Sequence, residues 1–131
     1  MSELKTTTKR NILIVDDEEN FLFAMNTWLS AKGYAVQTAS SGVDGIEKMK
    51  AHKPDIMFID VSMPELDGID TLARVRAIDE DLPVIMITAF GLVPRLEEAE
   101  KFGVMGIFRK SQDFGKAAEL IERAVQKVNE A

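Results

Sequence analysis

Short apolar runs alternate along the chain with longer amphipathic stretches. Four of the five runs are almost continuously apolar, which is typical of strands that are buried on both faces of a parallel sheet. The second run alternates apolar and polar residues and therefore predicts a strand at the edge of the sheet. The predicted strands are residues 12–15, 34–39, 56–59, 84–87 and 104–108.

The stretches between these runs predict five helices. Apolar residues recur in them at spacings of three and four, most regularly in residues 117–128. Gly33 is a typical residue after a helix end, Ser40 or Ser41 suits a helix start, and Pro94 suits the first helical position. The predicted helices are residues 18–32, 42–51, 65–78, about 94–102, and from about 113 onward.

The alternation of strands and helices predicts an α/β fold of the (βα)5 type. Parallel strands need crossover connections, and right-handed helical crossovers place helices on both faces of the sheet. We therefore expect a three-layer sandwich around a parallel five-stranded sheet. Residues 11–131 are expected to form this single domain, preceded by a flexible arm at residues 1–10.

Composition narrows the class of protein further. The 131 residues are 46% hydrophobic and 29% charged, which is too apolar for a disordered chain and suits one globular domain. The formal charge of -6 argues against direct binding to nucleic acid or to an anionic membrane. The absence of cysteine excludes disulfides, a cysteine-ligated zinc site and a cysteine nucleophile. Without an apolar run long enough to span a membrane, we expect a cytoplasmic protein.

Polar side chains follow four of the five predicted strands. Asp16 and Asp17 come after the first, Asp60 after the third, Thr88 after the fourth, and Lys110 after the fifth. The carboxyl ends of parallel strands share one edge of the sheet, where open α/β folds bind their ligands. These side chains are therefore expected to form one site.

The residue types in this site suit phosphoryl transfer. Three neighbouring carboxylates repel one another unless a cation joins them, and Mg²⁺ prefers carboxylates, waters and a phosphoryl oxygen as ligands. A lysine ammonium neutralises a phosphate, and a threonine hydroxyl can donate to one of its oxygens. An aspartate carboxylate is an established nucleophile for phosphoryl groups.

With these elements in place, the sequence resembles the receiver domains of two-component response regulators, the CheY-like family. The resemblance covers essentially the whole folded part of the chain. It rests on Asp16-Asp17, the run Asp60-x-x-Met63-Pro64-x-x-Asp67-Gly68, Thr88-Ala89 and Lys110, each at the end of the appropriate strand. It implies a flavodoxin-like sheet of strand order 2-1-3-4-5 and a phosphorylation-controlled signalling switch. Phosphorylation would change the partner surface formed by the fourth helix, fifth strand and fifth helix.

The resemblance also implies a role for each site residue. Asp60 would be the phosphoacceptor, and Thr88 and Lys110 would contact the phosphoryl oxygens. The cofactor would be Mg²⁺, with Mn²⁺ as a possible substitute. Its implied protein ligands are Asp16, Asp17, Asp60 and the backbone carbonyl of Ser62.

The partners follow from the same resemblance. A sensor histidine kinase or a phosphotransfer protein would supply the phosphoryl group from a phosphohistidine. A downstream protein, or an output domain C-terminal to this segment, would respond to it. Because the chain ends just after its last helix, we expect either a stand-alone receiver or a fragment of a longer regulator. Apart from its own phosphorylation and dephosphorylation, no enzymatic activity is expected.

Two positions around Lys110 depart from the family pattern. Three residues before this lysine the family usually has tyrosine or phenylalanine, and here the residue is Ile107. Phe108 cannot replace that aromatic ring, because adjacent strand residues face opposite sides. After the lysine the family usually has proline in a cis peptide, and here Ser111 follows. A cis Lys110–Ser111 bond would cost about 2.5–4 kcal/mol, so the loop is expected to be either strained cis or rearranged to trans.

Phe90 is the third unusual position, two residues after Thr88. A bulky apolar side chain there could shield an acyl phosphate from water, which predicts slow self-dephosphorylation. Because Ile107 replaces the usual aromatic residue, we hypothesise that backbone and loop movement, or Phe90, carries the switch. An unchanged fourth helix in the phosphorylated form would count against this hypothesis.

Three other functions remain open at this point. A phosphorelay intermediate would use the same residues and would pass the phosphoryl group onward. An aspartate-nucleophile phosphatase often has a second aspartate two residues after the nucleophile, a position that Ser62 occupies here. A phosphorylation-independent interaction module is favoured only by the departures at Ile107 and Ser111.

Overall fold

The computed structural model describes residues 10–89 and 95–130. Within them the chain forms five strands and five helices in strict alternation. The strands are β1 (Asn11–Val15), β2 (Ala35–Ala39), β3 (Ile56–Asp60), β4 (Val84–Thr88) and β5 (Gly106–Arg109). The helices are α1 (Glu19–Ala31), α2 (Gly42–Ala51), α3 (Gly68–Ile78), α4 (Leu96–Lys101) and α5 (Phe114–Glu130).

The strands form one parallel sheet in the order β2-β1-β3-β4-β5, which confirms the predicted topology. The predicted edge strand, β2, lies at one edge and is less buried than β3 or β4, whose residues are all buried. The order reverses between β1 and β3, because the chain moves outward to β2 and then crosses back over β1. Ligands bind at such a reversal in open α/β sheets.

Helices cover both faces of the sheet, so the predicted three-layer sandwich is confirmed. The alternation of side chains along each strand divides the core into two clusters. One cluster joins the sheet to α2, α3 and α4, and Leu13, Met57 and Met86 belong to it. The other joins the sheet to α1 and α5, and Ile14, Phe58 and Phe108 belong to it.

The boundaries of α2 and the end of α3 agree with the sequence prediction, but the start of α3 does not. The side chain of Ser41, one of the two predicted caps, accepts a hydrogen bond from the amide of Asp44 (3.1 Å) and starts α2. The third helix starts at Gly68, three residues after the predicted start at Glu65. The side chain of Asp67 caps it by accepting from the amide of Asp70 (2.9 Å), and Glu65 has a positive φ of 66°.

Three other expectations need correction or lie outside the described residues. The fifth strand begins at Gly106 and not at residue 104. The predicted start of the fourth helix at Pro94 and the arm at residues 1–9 both lie outside the described part of the chain.

Trp28 is only partly buried and packs against Phe114 of α5 (ring centroids 6.1 Å apart), so it lies at the α1–α5 contact. Among the described helices, none is long and apolar enough to cross a membrane.

A cluster of charges fastens the start of α4 to the start of α3. The Arg95 guanidinium lies 3.1 Å from Asp67 and 3.1 Å from Asp70 at the beginning of α3, and 2.7 Å from Glu98 in α4. Arg95 also has a positive φ of 60°, which is uncommon for a residue with a side chain. The ion pairs therefore hold the backbone in an unusual conformation where α4 begins.

We expect Arg95→Gln to lower the melting temperature at low salt. Glutamine removes the charge that joins α3 to α4, and salt screens the same interaction in the unmodified chain. The difference should therefore shrink as sodium chloride is raised, in a thermal melt followed by circular dichroism. Arg123→Gln is the matched control, because Arg123 is exposed and pairs only with Glu119 of its own helix among the described contacts. A decrease in the melting temperature of Arg95→Gln that does not depend on salt would contradict this account.

Another arginine fastens the opposite end of α4. Arg76 of α3 donates to the backbone carbonyls of Phe102 and Gly103 just after α4, and also to that of Leu82 before β4. These acceptors are neutral, in contrast to the carboxylates around Arg95. The two ends of this short helix are thus attached to α3 by different physical interactions.

Candidate functional site

The predicted site residues meet at the carboxyl edge of the sheet. Asp16 follows β1, and its amide donates to the carbonyl of Ala39 at the end of β2 (3.0 Å). The Lys110 amide donates to the carbonyl of Thr88, which joins the end of β5 to the end of β4 (2.9 Å). These bonds continue the ladder past the strand ends, so the sheet itself places the side chains.

Three carboxylates lie together at this edge. One oxygen each of Asp16, Asp17 and Asp60 can be chosen so that all lie within 4.8 Å of one another. Asp16 is fully buried, Asp60 is 4% exposed, and Asp17 is exposed to solvent. The two buried members form the floor of the site, and Asp17 lies at its solvent side.

Asp16 has one well-bonded oxygen and one that lacks a hydrogen bond. Its Oδ1 accepts from the amide of Glu18 (2.8 Å) and from Lys110 Nζ (3.2 Å). Its Oδ2 lies 2.9 Å from Lys110 Nζ as an ion pair, but within the described residues it is a buried oxygen without a hydrogen-bond partner. Burial raises the pKa of Asp16 more than these hydrogen bonds lower it.

Asp60 lies at the end of β3 beside Asp16. Its Oδ1 accepts from the amide of Ser62 (3.2 Å). Burial, and then the charge of Asp16, raise the pKa of Asp60 to about 7, against the opposing influence of the Ser62 amide and of Lys110. Without a cation, this carboxyl is therefore only partly ionised at neutral pH.

The Lys110 ammonium faces both buried carboxylates. It lies 2.9 Å from Asp16 Oδ2, 2.7 Å from Glu18 Oε1 and 3.7 Å from Asp60 Oδ2. Burial works to lower the pKa of Lys110, but the hydrogen bonds to Glu18 and Asp16 outweigh it and raise the pKa. The lysine is therefore charged and lies next to the predicted acceptor.

The remaining predicted site residues border this group. Thr88 is 5% exposed at the end of β4, next to the Lys110 backbone. Ser62 is exposed, and its amide contact with Asp60 places its backbone in the loop that follows β3. The structure thus brings together Asp16, Asp17, Asp60, Ser62, Thr88 and Lys110.

This arrangement fits a divalent cation with oxygen ligands. Three carboxylates outnumber the single lysine among them, and the buried Oδ2 of Asp16 forms an ion pair with Lys110 but no hydrogen bond. A hard cation such as Mg²⁺ would satisfy that oxygen and offset the repulsion between Asp16 and Asp60.

The departures at Ile107 and Ser111 now have positions in the structure. Ile107 packs against the cluster of α2, α3 and α4, whereas Phe108 is buried in the cluster of α1 and α5. This confirms that Phe108 cannot replace an aromatic side chain at Ile107. Phe90 lies outside the described residues, so its predicted shielding role stays a prediction.

The peptide bond between Lys110 and Ser111 is trans, as is every other peptide bond in the described residues. The loop is therefore rearranged and not strained cis. A glutamine closes it: the amide of Gln112 donates to the Arg109 carbonyl (2.9 Å), and its side-chain oxygen accepts from the Arg109 amide (3.0 Å).

Sequence reasoning missed two residues of the site, Glu18 and Phe21. Glu18 forms the ion pair with Lys110 described above, and the ring of Phe21 lies under the same ammonium, 4.7 Å from Nζ to the ring centroid. The acidic run that contains Asp16 and Asp17 continues through Glu18, and that was the available signal. Nothing in the spacing of Phe21 distinguishes it from an ordinary core residue of α1.

A family model described as the response regulator receiver domain matches residues 12–123. The chain belongs to this family. The match includes every predicted site residue and spans β1 to most of α5. The receiver domain is a phosphorylation-controlled signalling module, and its members bind Mg²⁺ at an acidic pocket and interact with histidine kinases, phosphotransfer proteins or output domains.

Individual relatives agree with this assignment. Sporulation initiation phosphotransferase F of Bacillus subtilis is 30% identical over 112 residues, covering 86% of this chain and 90% of that protein. The transcriptional regulatory protein ZraR of Salmonella typhimurium is 34% identical over 122 residues, but the match covers 93% of this chain and only 28% of ZraR. The solved CheX-CheY-BeF3-Mg²⁺ complex of Borrelia burgdorferi contains a similar chain, with a TM-score of 0.82 and 28% identity over 88% of this chain and 89% of that one. The receiver domain thus spans nearly all of the first relative and about a quarter of the second.

Proposed function

We propose that Asp60 of this receiver domain accepts a phosphoryl group from the phosphohistidine of a sensor histidine kinase or a phosphotransfer protein. The observation that carries the proposal is the cluster of Asp16, Asp17 and Asp60 with the Lys110 ammonium 3.7 Å from the acceptor carboxylate. In the reaction, the bond from phosphorus to the histidine nitrogen breaks, a bond to an Asp60 oxygen forms, and the imidazole leaves with the electron pair. Such a transfer needs positioning and charge neutralisation more than it needs proton transfer.

The cofactor in this proposal is Mg²⁺, with Mn²⁺ as a substitute. Its ligands would be Asp16, Asp17, Asp60 and the backbone carbonyl of Ser62. When bound, the cation supplies positive charge between these carboxylates and a phosphoryl oxygen. The buried Asp16 oxygen without a hydrogen bond supports this assignment. The Borrelia burgdorferi complex, which contains magnesium and beryllofluoride, supports it by analogy.

Each residue around the acceptor has a separate task. Asp60 attacks as the anion, and the approach of cations to its carboxylate should lower its raised pKa. Lys110 neutralises the phosphoryl oxygens, and the Thr88 hydroxyl donates to one of them. The chain would catalyse only its own phosphorylation and dephosphorylation, since nothing in this proposal gives it another substrate.

The downstream partner would be another protein or an output domain. The match to about a quarter of ZraR supports an output domain, since most of ZraR lies outside the matched segment. The changing surface would be formed by α4, β5 and α5. With Ile107 in place of the usual aromatic residue, backbone and loop movement would carry the change. Comparing α4 in the free and phosphorylated chains tests this.

Labelling with a small phosphodonor tests the proposed function. The chain incubated with acetyl phosphate and Mg²⁺ should gain one phosphoryl group, detected by intact-protein mass spectrometry. Asp60→Asn should abolish the gain, and a chelator should prevent it. Asp55→Asn is the control, because Asp55 is an exposed carboxylate at the start of β3, at the opposite end of the sheet. An unlabelled native chain, or equal labelling of Asp60→Asn, would refute the proposal.

A phosphorelay role is the second candidate. It is favoured by the match that covers 90% of a protein named as a phosphotransferase. A relay intermediate must return its phosphoryl group to a histidine of a phosphotransfer protein. Incubating the phosphorylated chain with candidate phosphotransfer proteins and following phosphohistidine, which is labile to acid, would distinguish a relay from a terminal switch.

A further inference from the structure

The side chain of Glu18 does not cap α1, although Glu18 immediately precedes this helix. Glu18 occupies the N-cap position of α1, where a side chain commonly accepts a hydrogen bond from the first turn. Within the described structure it makes no such capping bond. Its carboxylate reaches across the site to Lys110, 92 residues later in the chain, at 2.7 Å from Nζ. Its backbone amide donates to Asp16 Oδ1 at 2.8 Å.

Glu18 therefore contacts two charged groups of the site through different atoms. The amide orders the buried carboxylate, and the side chain orders the buried end of the lysine. The ring of Phe21, one turn further along α1, lies 4.7 Å from the same ammonium. A cation over an aromatic face is attracted by the negative face of the ring. Two residues at the start of α1, Glu18 and Phe21, thus contact the Lys110 ammonium.

The contact with Glu18 leaves an N–H donor of Lys110 available for a phosphoryl group. An ammonium group has three N–H donors. Asp16 and Glu18 accept from Lys110 at 3.2 and 2.7 Å, and Asp60 Oδ2, at 3.7 Å, is too distant for a hydrogen bond. A phosphoryl group on Asp60 would extend toward Lys110 and could take the third donor while Glu18 keeps its own.

A bound cation increases the importance of Glu18. Asp16 belongs to the three-carboxylate cluster, so a cation bound there would share the Asp16 oxygens with Lys110. Glu18 lies outside that cluster, and its side chain is 60% exposed at the rim of the site. It is therefore the carboxylate that can continue to hold Lys110 when Asp16 is occupied by metal.

We propose that Glu18, supported by the ring of Phe21, is a positioning residue that holds the Lys110 ammonium in place for the phosphoryl group on Asp60. This inference rests on the proposed function of Asp60. It assigns to Glu18 a contribution to phosphoryl binding that is separate from binding of the metal. A residue that is already ordered loses less conformational freedom when the ligand arrives.

The test compares Glu18→Gln with Glu19→Gln. Both variants remove one carboxylate from the start of α1, so they change the net charge equally. Glu19 borders the groove between α1 and α2, together with Leu22 and Asp44, and not the Lys110 side. Calorimetric titrations would measure the affinity for Mg²⁺ alone and for beryllofluoride, a phosphoryl analogue, at saturating Mg²⁺.

We expect Glu18→Gln to weaken beryllofluoride binding about threefold relative to Glu19→Gln, which lies within the range for a partly exposed ion pair. The Mg²⁺ affinities of these two variants should agree within about twofold, which a general disturbance of the site would not allow. Phe21→Leu, which keeps an apolar side chain but removes the ring, should weaken beryllofluoride binding in the same direction.

Equal beryllofluoride affinities of Glu18→Gln and Glu19→Gln would overturn the inference. Tighter binding by Glu18→Gln would also overturn it, because Glu18 would then compete with the phosphoryl group for Lys110. Failure of the native chain both to bind beryllofluoride and to be labelled by acetyl phosphate would instead refute the proposed function. If the native chain binds and is labelled, the variants test Glu18 alone.

Discussion

Replacing Asp60 with asparagine is expected to stabilise the metal-free protein at a pH of about 7.5 by about 2–4 kcal/mol. The pKa of Asp60 is raised from 3.8 to about 7, first by burial and then by the charge of Asp16. Each pH unit of such a shift corresponds to about 1.4 kcal/mol. Asparagine has nearly the same shape and carries no charge. The substitution therefore removes both the cost of burying a charge and the repulsion from Asp16.

The sign of the pH dependence follows from the same pKa shift. Between the unfolded pKa of 3.8 and the folded pKa of about 7, the folded protein binds more protons at Asp60 than the unfolded chain does. The contribution of this group to stability is therefore complete below about pH 4 and is lost as the pH rises toward 7. The native chain should become less stable across this range, and Asp60→Asn should show a smaller decline.

Urea unfolding in the presence of a chelator, at several pH values, would measure both effects. Asp81→Asn is the matched control, since it removes an exposed carboxylate just before β4, far from the cluster. Its unfolding free energy should change by less than about 0.5 kcal/mol. Adding Mg²⁺ should stabilise the native chain and narrow its difference from Asp60→Asn. A native chain that is as stable as Asp60→Asn at a pH of about 7.5 without metal would contradict the raised pKa.

Gly68→Ala is expected to destabilise the protein by about 3 kcal/mol or more, since overpacking against rigid groups commonly costs about 1–3 kcal/mol and sometimes more. A methyl group on Gly68 would overlap the backbone carbonyl of Asp60 and lie 2.7 Å from Val61 Cα. The amide of Gly68 also donates to the Val61 carbonyl (2.9 Å), which fixes the start of α3 against this loop. Backbone atoms cannot rotate away as a side chain can.

The same change should reduce phosphorylation, because the displaced backbone belongs to the acceptor residue. Urea unfolding and labelling by acetyl phosphate would be measured on the same preparation. Gly115→Ala is the control: its new methyl would lie 2.8 Å from Asp113 Oδ1, the mobile end of a side chain, at the start of α5. That variant should lose little or no stability, because alanine favours a helix. Similar losses in both variants would show that close contact with Asp60 is not the cause.

The sequence predicted the layers of the fold because burial on both faces leaves a direct pattern. Continuous apolar runs identified β3 and β4, and the alternating run identified β2 as the edge. The boundaries were less accurate where a local side-chain contact decides them, as at Asp67, whose cap starts α3 later than the apolar pattern indicated. The pattern of apolar residues shows which face of a helix is buried, but it does not show which polar side chain caps the helix and sets where it starts.

The acceptor site was predictable for a similar reason. Asp16 and Lys110 directly follow strands and Asp60 is the last residue of one, so the topology alone brings them to one edge. Glu18 could not be placed in this way, because its partner Lys110 is distant in sequence and is reached by a long side chain. The same holds for the contacts of Arg95 with Asp67 and Asp70. The trans geometry at Ser111 was one of two open alternatives, and the paired hydrogen bonds of Gln112 belong to the trans loop that forms.

Arg95 and Arg76 attach the two ends of α4 to α3 by different interactions, so ionic strength should decide which end of α4 detaches first. Salt screens the attraction of Arg95 for its three carboxylates, but it has little effect on the hydrogen bonds of Arg76 to backbone carbonyls. As salt rises, the N-terminal end of α4 should separate from α3 while its C-terminal end stays attached. Amide hydrogen exchange would then speed up at Ala99, whose amide donates to the Arg95 carbonyl at the start of α4, while protection near Phe102 persists.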